Sequence, residues 1–171
     1  VSMRPQDLVL TPRGIRFLGR TIPCAIGRGG VSTTKREGDG ATPAGVHRIM
    51  GLMARPDRVR VAGEAFPIGP GDLWSDASGA PDYNQHVRAP YGLSHERLRR
   101  ADPLYDLVLV TDWNWPEAEA GRGSAIFLHI WRKPRHPTEG CIAFRRDHFR
   151  WIIERLEPEN RLIVPEGLAG R

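Results

Sequence analysis

The sequence predicts a mainly β protein, a β-rich α+β fold with a few short helices, and three observations carry that expectation. Glycine (19) and proline (15) interrupt the 171-residue chain so often that long helices have little room. The apolar residues fall in runs of strand length, Leu107–Val110 and Ala125–Trp131 being the clearest, both rich in branched or aromatic side chains. A helical apolar period stands out in one place, where Phe149, Ile152, Ile153 and Leu156 follow Asp147 at i, i+3, i+4 and i+7 spacing.

The elements follow in order. Leu8-Val9-Leu10 reads as a strand, Thr11-Pro12-Arg13-Gly14 as a turn, and Ile15–Leu18 as the strand that returns. Thr21–Ile26 is again extended and runs into Gly27-Arg28-Gly29-Gly30. Lys35–Gly45 is loop by composition, and Lys35 and Arg36 belong to its solvated surface. Val46–Met50 leaves it as a strand. Gly69 to Pro90 is irregular, but Trp74, Tyr83, Asn84 and His86 argue against disorder, and a long ordered loop is commonly functional. Ser94 is placed to cap a short helix through Arg100, and Asp147 to cap the amphipathic one. Arg161–Pro165 closes the chain as a strand. With no repeat, low-complexity tract or linker, residues 1–171 read as one domain.

Composition excludes little. The formal charge is +5, with arginines spread along the chain rather than gathered in a tail. Such a surface suits any polyanion, nucleic acid or an anionic envelope alike. A basic nucleic-acid-binding module gripping single strands with Trp113, Trp115 and Trp131 is one alternative. Asp112, Glu117 and Glu119 beside those rings repel phosphate and count against it, so no nucleic-acid partner is expected. No apolar run approaches the ~20 residues that span a bilayer, so no transmembrane segment is expected. The first residues show no leader, whether or not one has been removed. Two cysteines, Cys24 and Cys141, make no disulfide framework, and Cys24 reads as a small buried hydrophobe.

The chemistry concentrates between Phe127 and Phe144. His129 lies near the end of a buried strand, and the prolines and glycine after it turn the chain so that Cys141 can return to it. A thiol becomes a strong nucleophile as its thiolate, which an adjacent imidazole generates. Gly140 frees the backbone before the cysteine, and successive N–H groups at such a bend suit an oxyanion hole. Residue types alone leave two other readings open. Cys141 is equally a buried, inert side chain. His129, His136, Glu139 and Cys141 are all metal-ligand types, but their spacing fits no common zinc pattern, so neither metal nor cofactor is expected. His136, between two prolines, is the rival base. His129 is favoured because a strand holds it.

Pro137-Thr138-Glu139-Gly140-Cys141-Ile142 resembles the nucleophile motif of the L,D-transpeptidase catalytic domain (YkuD-like) family. There Ser or Thr stands three residues before the cysteine, and a histidine of the preceding strand is the base. Gly38-Asp39 and Thr42-Pro43-Ala44-Gly45 are similar to that family's loop ending in Thr-Pro-x-Gly, while Trp74-Ser75-Asp76 and Tyr83-Asn84 resemble a subgroup of it. The likeness runs from about Cys24 to Phe144. It implies a β-sandwich of mixed sheets and a cysteine acyltransferase with Cys141 as nucleophile and His129 as base. A backbone carbonyl would orient the imidazole, and Gly140 and Thr138 would shape the nucleophile loop. Tyr83, Asn84, His86, Trp131 and Glu139 are candidate substrate contacts.

The substrate implied is the peptidoglycan stem peptide, and the location is the periplasm or cell envelope. Two departures bear on linkage: Glu139 replaces the usual His, and Ala143 stands where Arg or Asn is usual. They point to an altered donor position, the first rather than the third stem residue. They equally fit a cysteine amidase or L,D-carboxypeptidase on the same scaffold.

Overall fold

A computed structural model of the chain describes residues 1–170; Arg171, the last residue of the expected 1–171 domain, lies outside the described residues. β1 (Leu8–Thr11), β2 (Gly14–Phe17) and β3 (Arg20–Ile22) form an antiparallel meander, followed after Pro23 by β4 (Cys24–Ala25). β5 (Val31–Ser32) and β6 (Thr42–Pro43) pair in parallel at the two ends of the polar loop. β7 (Gly45–Ala54) is the long strand, with β8 (Phe66–Pro67) beside its end. β9 (Asp72–Ser75), β10 (His86–Arg88) and β11 (His95–Arg97) make a separate antiparallel sheet. β12 (Leu107–Thr111), β13 (Phe127–Ile130), β14 (Ile142–Phe144), helix α1 (Arg146–Arg155) and β15 (Arg161–Val164) complete the order.

The main sheet runs β3-β2-β1-β15-β7-β12-β13-β14-β4. Its terminal strands, β3 and β4, are consecutive in the chain and separated only by Pro23, so the sheet has to curl back on itself. β7 makes the corner. Its first half pairs with β15 and its second half with β12. Between the two halves lies a core of Leu8, Leu10, Ile15 and Phe17 from one side and Leu107, Leu109, Leu128, Ile142 and Phe144 from the other. Helix α1 seals it with Phe149 and Ile152, and the Phe149 ring stacks on Phe144 at 5.5 Å. The result is the mainly β sandwich of mixed sheets that the sequence predicts, with one short α-helix.

The alternate residues of β12 and β13 point to the opposite face. There Val108, Val110, Phe127 and Cys141 meet Trp74, Leu98 and Tyr105, contributed by the three-stranded sheet and the segment after it. Burial on both faces explains why β12 reads as a continuous apolar run without alternation.

Three local expectations are corrected. The segment after Ser94 is strand β11, not a helix: Glu96 pairs with Trp74 and Arg97 with Leu73, and β9 supplies the hydrogen bonds a helix would have drawn from itself. The stretch from Gly69 to Pro90 contains β9 and β10, because Leu73 and Trp74 gain partners on both sides. Helix α1 is N-capped at Arg145 without a side-chain bond. Asp147 lies inside the first turn, where a carboxylate still favours the positive helix end.

Candidate active site

β13 and β14 run in parallel with Leu128 opposite Ile142 and His129 opposite Ala143. Continuing that register sets Cys141 beside Phe127, so Cys141 and His129 leave the sheet on the same face. Diagonal neighbours of this kind sit roughly 7–8 Å apart at Cα, with their side chains closer. The segment after Ile130 therefore folds back as expected, and it re-enters the sheet in parallel rather than as a hairpin.

Both side chains open into one cleft of about 500 Å³. Cys141 is buried; its thiol donates to the Ala125 carbonyl at 3.1 Å and its sulfur accepts from the Phe127 N–H at 3.4 Å. His129 Nδ1 lies 2.7 Å from the Ile130 carbonyl oxygen. A carbonyl only accepts, so Nδ1 carries the proton and Nε2 is left with its lone pair. The ring packs edge-on against Tyr105 at 5.3 Å.

Burial acts on the pair in opposite senses. It pushes the Cys141 thiol up to about 12, helped by the negative charge of Glu96 and opposed by the Phe127 N–H and the Lys35 charge. It pulls His129 down to about 4, against the raising effect of the Ile130 carbonyl. Both shifts favour the neutral thiol beside the neutral imidazole. At rest the two groups are thus held in their uncharged forms.

The loop before Cys141 is tied down from several directions. Gly140 holds φ +139°, and a Cβ there would meet the Ala41 carbonyl oxygen at 2.8 Å. The Thr42 hydroxyl donates to the Gly140 carbonyl at 2.8 Å and accepts the Gly27 N–H at 2.9 Å, which gives the Thr-Pro-x-Gly segment a physical task. Thr138 Oγ1 donates to the Cys141 carbonyl at 2.6 Å and accepts the Gly140 N–H at 3.1 Å. The Gly140 amide is therefore engaged within the bend. Thr138 thus acts within the bend while also lining the cleft.

The other expected residues divide. Glu139 lines the cleft and pairs with Arg28 at 2.9 Å at its exposed rim. His136, the rival base, lines it too, but it sits on the loop rather than on a strand. Tyr83 and Asn84 are buried beside the cleft rather than in its lining. Asn84 Oδ1 accepts the Ala125 and Trp74 N–H groups, each at 2.9 Å, and the Tyr83 hydroxyl accepts the Gly123 N–H at 2.9 Å. They brace the segment whose Ala125 carbonyl receives the thiol. His86 bonds Asp72 and lines a different hollow, with Phe66 and Trp115; Trp131 is half-buried and outside the cleft lining.

Lys35 is a correction to the sequence reading. It is buried, lines the cleft, and pairs with Asp39 at 2.6 Å. Sequence reasoning passed over Glu37, Asp76, Glu96, Arg100 and Tyr105, all in the cleft lining. Only Asp76 belongs to a quoted motif, Trp74-Ser75-Asp76, and nothing local sets it in the cleft, because the small sheet delivers Asp76 and Glu96 from strands misread as loop and helix. Both cysteines are free thiols, and no group of three or more His, Cys, Asp or Glu among the described residues is arranged to hold a metal ion.

A cysteine and a strand-held histidine thus share one cleft of a curled mixed sheet. The family model of the L,D-transpeptidase catalytic domain (YkuD) matches residues 6–164, and the chain belongs to that family of peptidoglycan enzymes. Neither the curated proteins nor the solved structures yield a match to this chain. Among the described residues no helix is long and apolar enough to cross a membrane.

Proposed function

We propose that this protein is a peptidoglycan L,D-transpeptidase that cross-links stem peptides through a thioester on Cys141, with His129 as the base. Residues 1–171 would work as one catalytic domain in the periplasm or cell envelope. The observation that carries the reading is the tautomer. The Ile130 carbonyl claims the Nδ1 proton, so Nε2 is left as an acceptor on a ring that lines the cleft shared with Cys141. As sulfur attacks an amide carbonyl of the donor peptide, its proton passes to Nε2, and the new oxyanion takes the Cys141 N–H. His129 returns that proton to the departing amine and the thioester remains. An amine of a second stem peptide then attacks it, and the thiol is restored.

The exposed Glu139–Arg28 pair stands at the rim where relatives usually place a histidine. That change supports an altered donor position, the first stem residue rather than the third. With water as acceptor the same steps give an amidase or carboxypeptidase.

Intact-mass analysis after exposure to a carbapenem is expected to show one adduct, absent in Cys141→Ala. An adduct that persists in Cys141→Ala, or none in the parent protein, overturns the nucleophile. Digestion and mass mapping of muropeptide products then separates cross-linked dimers from trimmed monomers and locates the linkage.

A further inference from the structure

The wall of the cleft facing Cys141 carries carboxylates that acylation does not use. Glu96 projects from β11, Asp76 from the end of β9, and Glu37 from the polar loop. Glu37 is engaged by the Tyr83 and Ser124 hydroxyls at 2.7 and 2.6 Å. Glu96 is held from below: the Tyr105 hydroxyl donates to Oε1 at 3.0 Å and lies 3.2 Å from Oε2. The Tyr105 ring in turn packs against His129. One rigid chain of contacts, His129–Tyr105–Glu96, therefore fixes a carboxylate relative to the reacting pair.

Proton counting says what such a group is for. At neutral pH an alkyl amine is overwhelmingly its ammonium, since its pKa is about 10.4. To become an amide nitrogen that ammonium sheds two protons. One restores the Cys141 thiol by way of His129, which is neutral once the donor's leaving amine has gone. The second has no destination within the Cys–His pair. Resting on the transpeptidase reading above, we propose that Glu96 takes this second proton from the acceptor's ammonium, with Tyr105 as the positioning residue that holds its carboxylate toward the thioester.

The step balances. Thioester, ammonium, Glu96 carboxylate and neutral His129 become amide, Cys141 thiol, Glu96 carboxylic acid and neutral His129. The N–C bond forms as the S–C bond breaks, and Glu96 afterwards releases its proton to water. The substrate class follows: the acceptor is a primary ammonium, drawn in by Glu37, Asp76 and Glu96 together.

The environment suits Glu96 to the task. Burial, and then the charges of Asp76 and Glu37, push its carboxyl up to about 7, while the Tyr105 hydroxyl and Arg100 pull the other way. A carboxylate in that range binds a proton more readily than an ordinary one yet still releases it at neutral pH. Its charge in turn bears on Cys141, which disfavours thiolate until an ammonium arrives.

The test separates the two half-reactions. Donor stem peptide is mixed with the enzyme, and acylation of Cys141 is followed by mass. Transfer is then measured to two acceptors, a diamino stem peptide and hydroxylamine, which is already neutral at pH 7. Glu96→Gln is expected to acylate no more slowly than the parent, since a charge that disfavours the Cys141 thiolate is gone, and to keep transfer to hydroxylamine. At pH 7 it should lose at least tenfold in transfer to the diamino peptide, and the deficit should shrink as pH rises. An equal loss with both acceptors, or no loss with either, overturns the proposal.

Tyr105→Phe keeps the carboxylate but removes the hydroxyl that stabilises its charged form. Its transfer to the diamino peptide should lose its low-pH limb at higher pH than the parent, with hydroxylamine transfer unmoved. An unmoved limb overturns the positioning role even where Glu96→Gln fails to fold. Absence of any acyl-enzyme in the parent protein is a different failure, that of the nucleophile reading itself.

Discussion

The two faces of β13 and β14 are made by alternate residues of the same short strands, yet they obey different rules. On the inner face Leu128, Ile130, Ile142 and Phe144 pack against α1 and the N-terminal meander, and their neighbours are apolar throughout. On the outer face Phe127, His129 and Cys141 share their surroundings with Tyr105, Glu96 and Lys35. The inner face is organised by volume, so any residue of the right size and hydrophobicity serves it. The outer face is organised by hydrogen bonds with one direction each, such as thiol to Ala125 carbonyl and imidazole to Ile130 carbonyl. A rigid inner face is what allows those bonds to keep their aim. The lesson is that strand alternation here divides stability from chemistry, residue by residue.

The sharpest way to break that division is to truncate one residue on each face. His129→Ala is expected to lower the rate of Cys141 acylation by about 10²–10⁴-fold, the range for a lost general base, while thermal unfolding moves little. Phe144→Ala, one position beyond the Ala143 that pairs with His129, should cost about 3–5 kcal/mol of stability. The fraction still folded should acylate at nearly the parent rate. Chemical denaturation paired with acylation kinetics reads both. If Phe144→Ala lost catalysis without losing stability, the two faces would not be separable.

Gly140→Ala comes next because it touches both faces at once. At φ +139° an added Cβ is strained, and the Ala41 carbonyl and the Ile126 side chain leave it no room. A cost of about 1–3 kcal/mol is expected. The displaced loop also takes the Thr138 and Thr42 bonds with it, so acylation should fall along with the melting temperature. A variant of unchanged stability and unchanged acylation would show that the bend can form without glycine.

What was legible in the sequence follows the same division. Volume leaves a pattern, so β1, β2, β12 and β13 and the apolar face of α1 were readable from apolar runs and period. That Cys141 returns to the neighbourhood of His129 was legible because the loop between them is local and carries Thr138, Gly140 and the prolines together. The opposite wall was not. Glu96 and Tyr105 reach the cleft only because β11 pairs with β9, a long-range event without a local signature. Alternation along His95, Glu96, Arg97 and Leu98 was the available sign of a strand, and the capping residue Ser94 outweighed it. Lys35 looked solvated because lysines usually are, and only the fold supplies the Asp39 carboxylate and the enclosing walls that bury it.

The smallest effect expected probes the outer face alone, through the pH dependence of stability. Glu96 titrates near 7 when folded against an ordinary value of 4.5, so between those values the folded chain holds more protons than the unfolded one. Its contribution is therefore most favourable below about 4.5 and is lost as pH rises through 7. His129 runs the other way. Its folded value of about 4 lies below the ordinary 6.5, so stability from this group is present above 6.5 and is lost as pH falls toward 4. Across the shared window from about 4.5 to 6.5 the two slopes oppose, and burial of His47, which also lowers its pKa, adds to the rising one, so the parent's stability should rise only gently with pH. Glu96→Gln removes one of them. The variant should gain about 1 kcal/mol at pH 8, a figure discounted because Glu96 is partly open to the solvated cleft. In the window its stability should rise with pH more steeply than the parent's. Urea denaturation at pH 5, 6.5 and 8 is sufficient, and a profile in Glu96→Gln no steeper than the parent's would mean that the carboxylate feels bulk water rather than the crowded wall beside Tyr105.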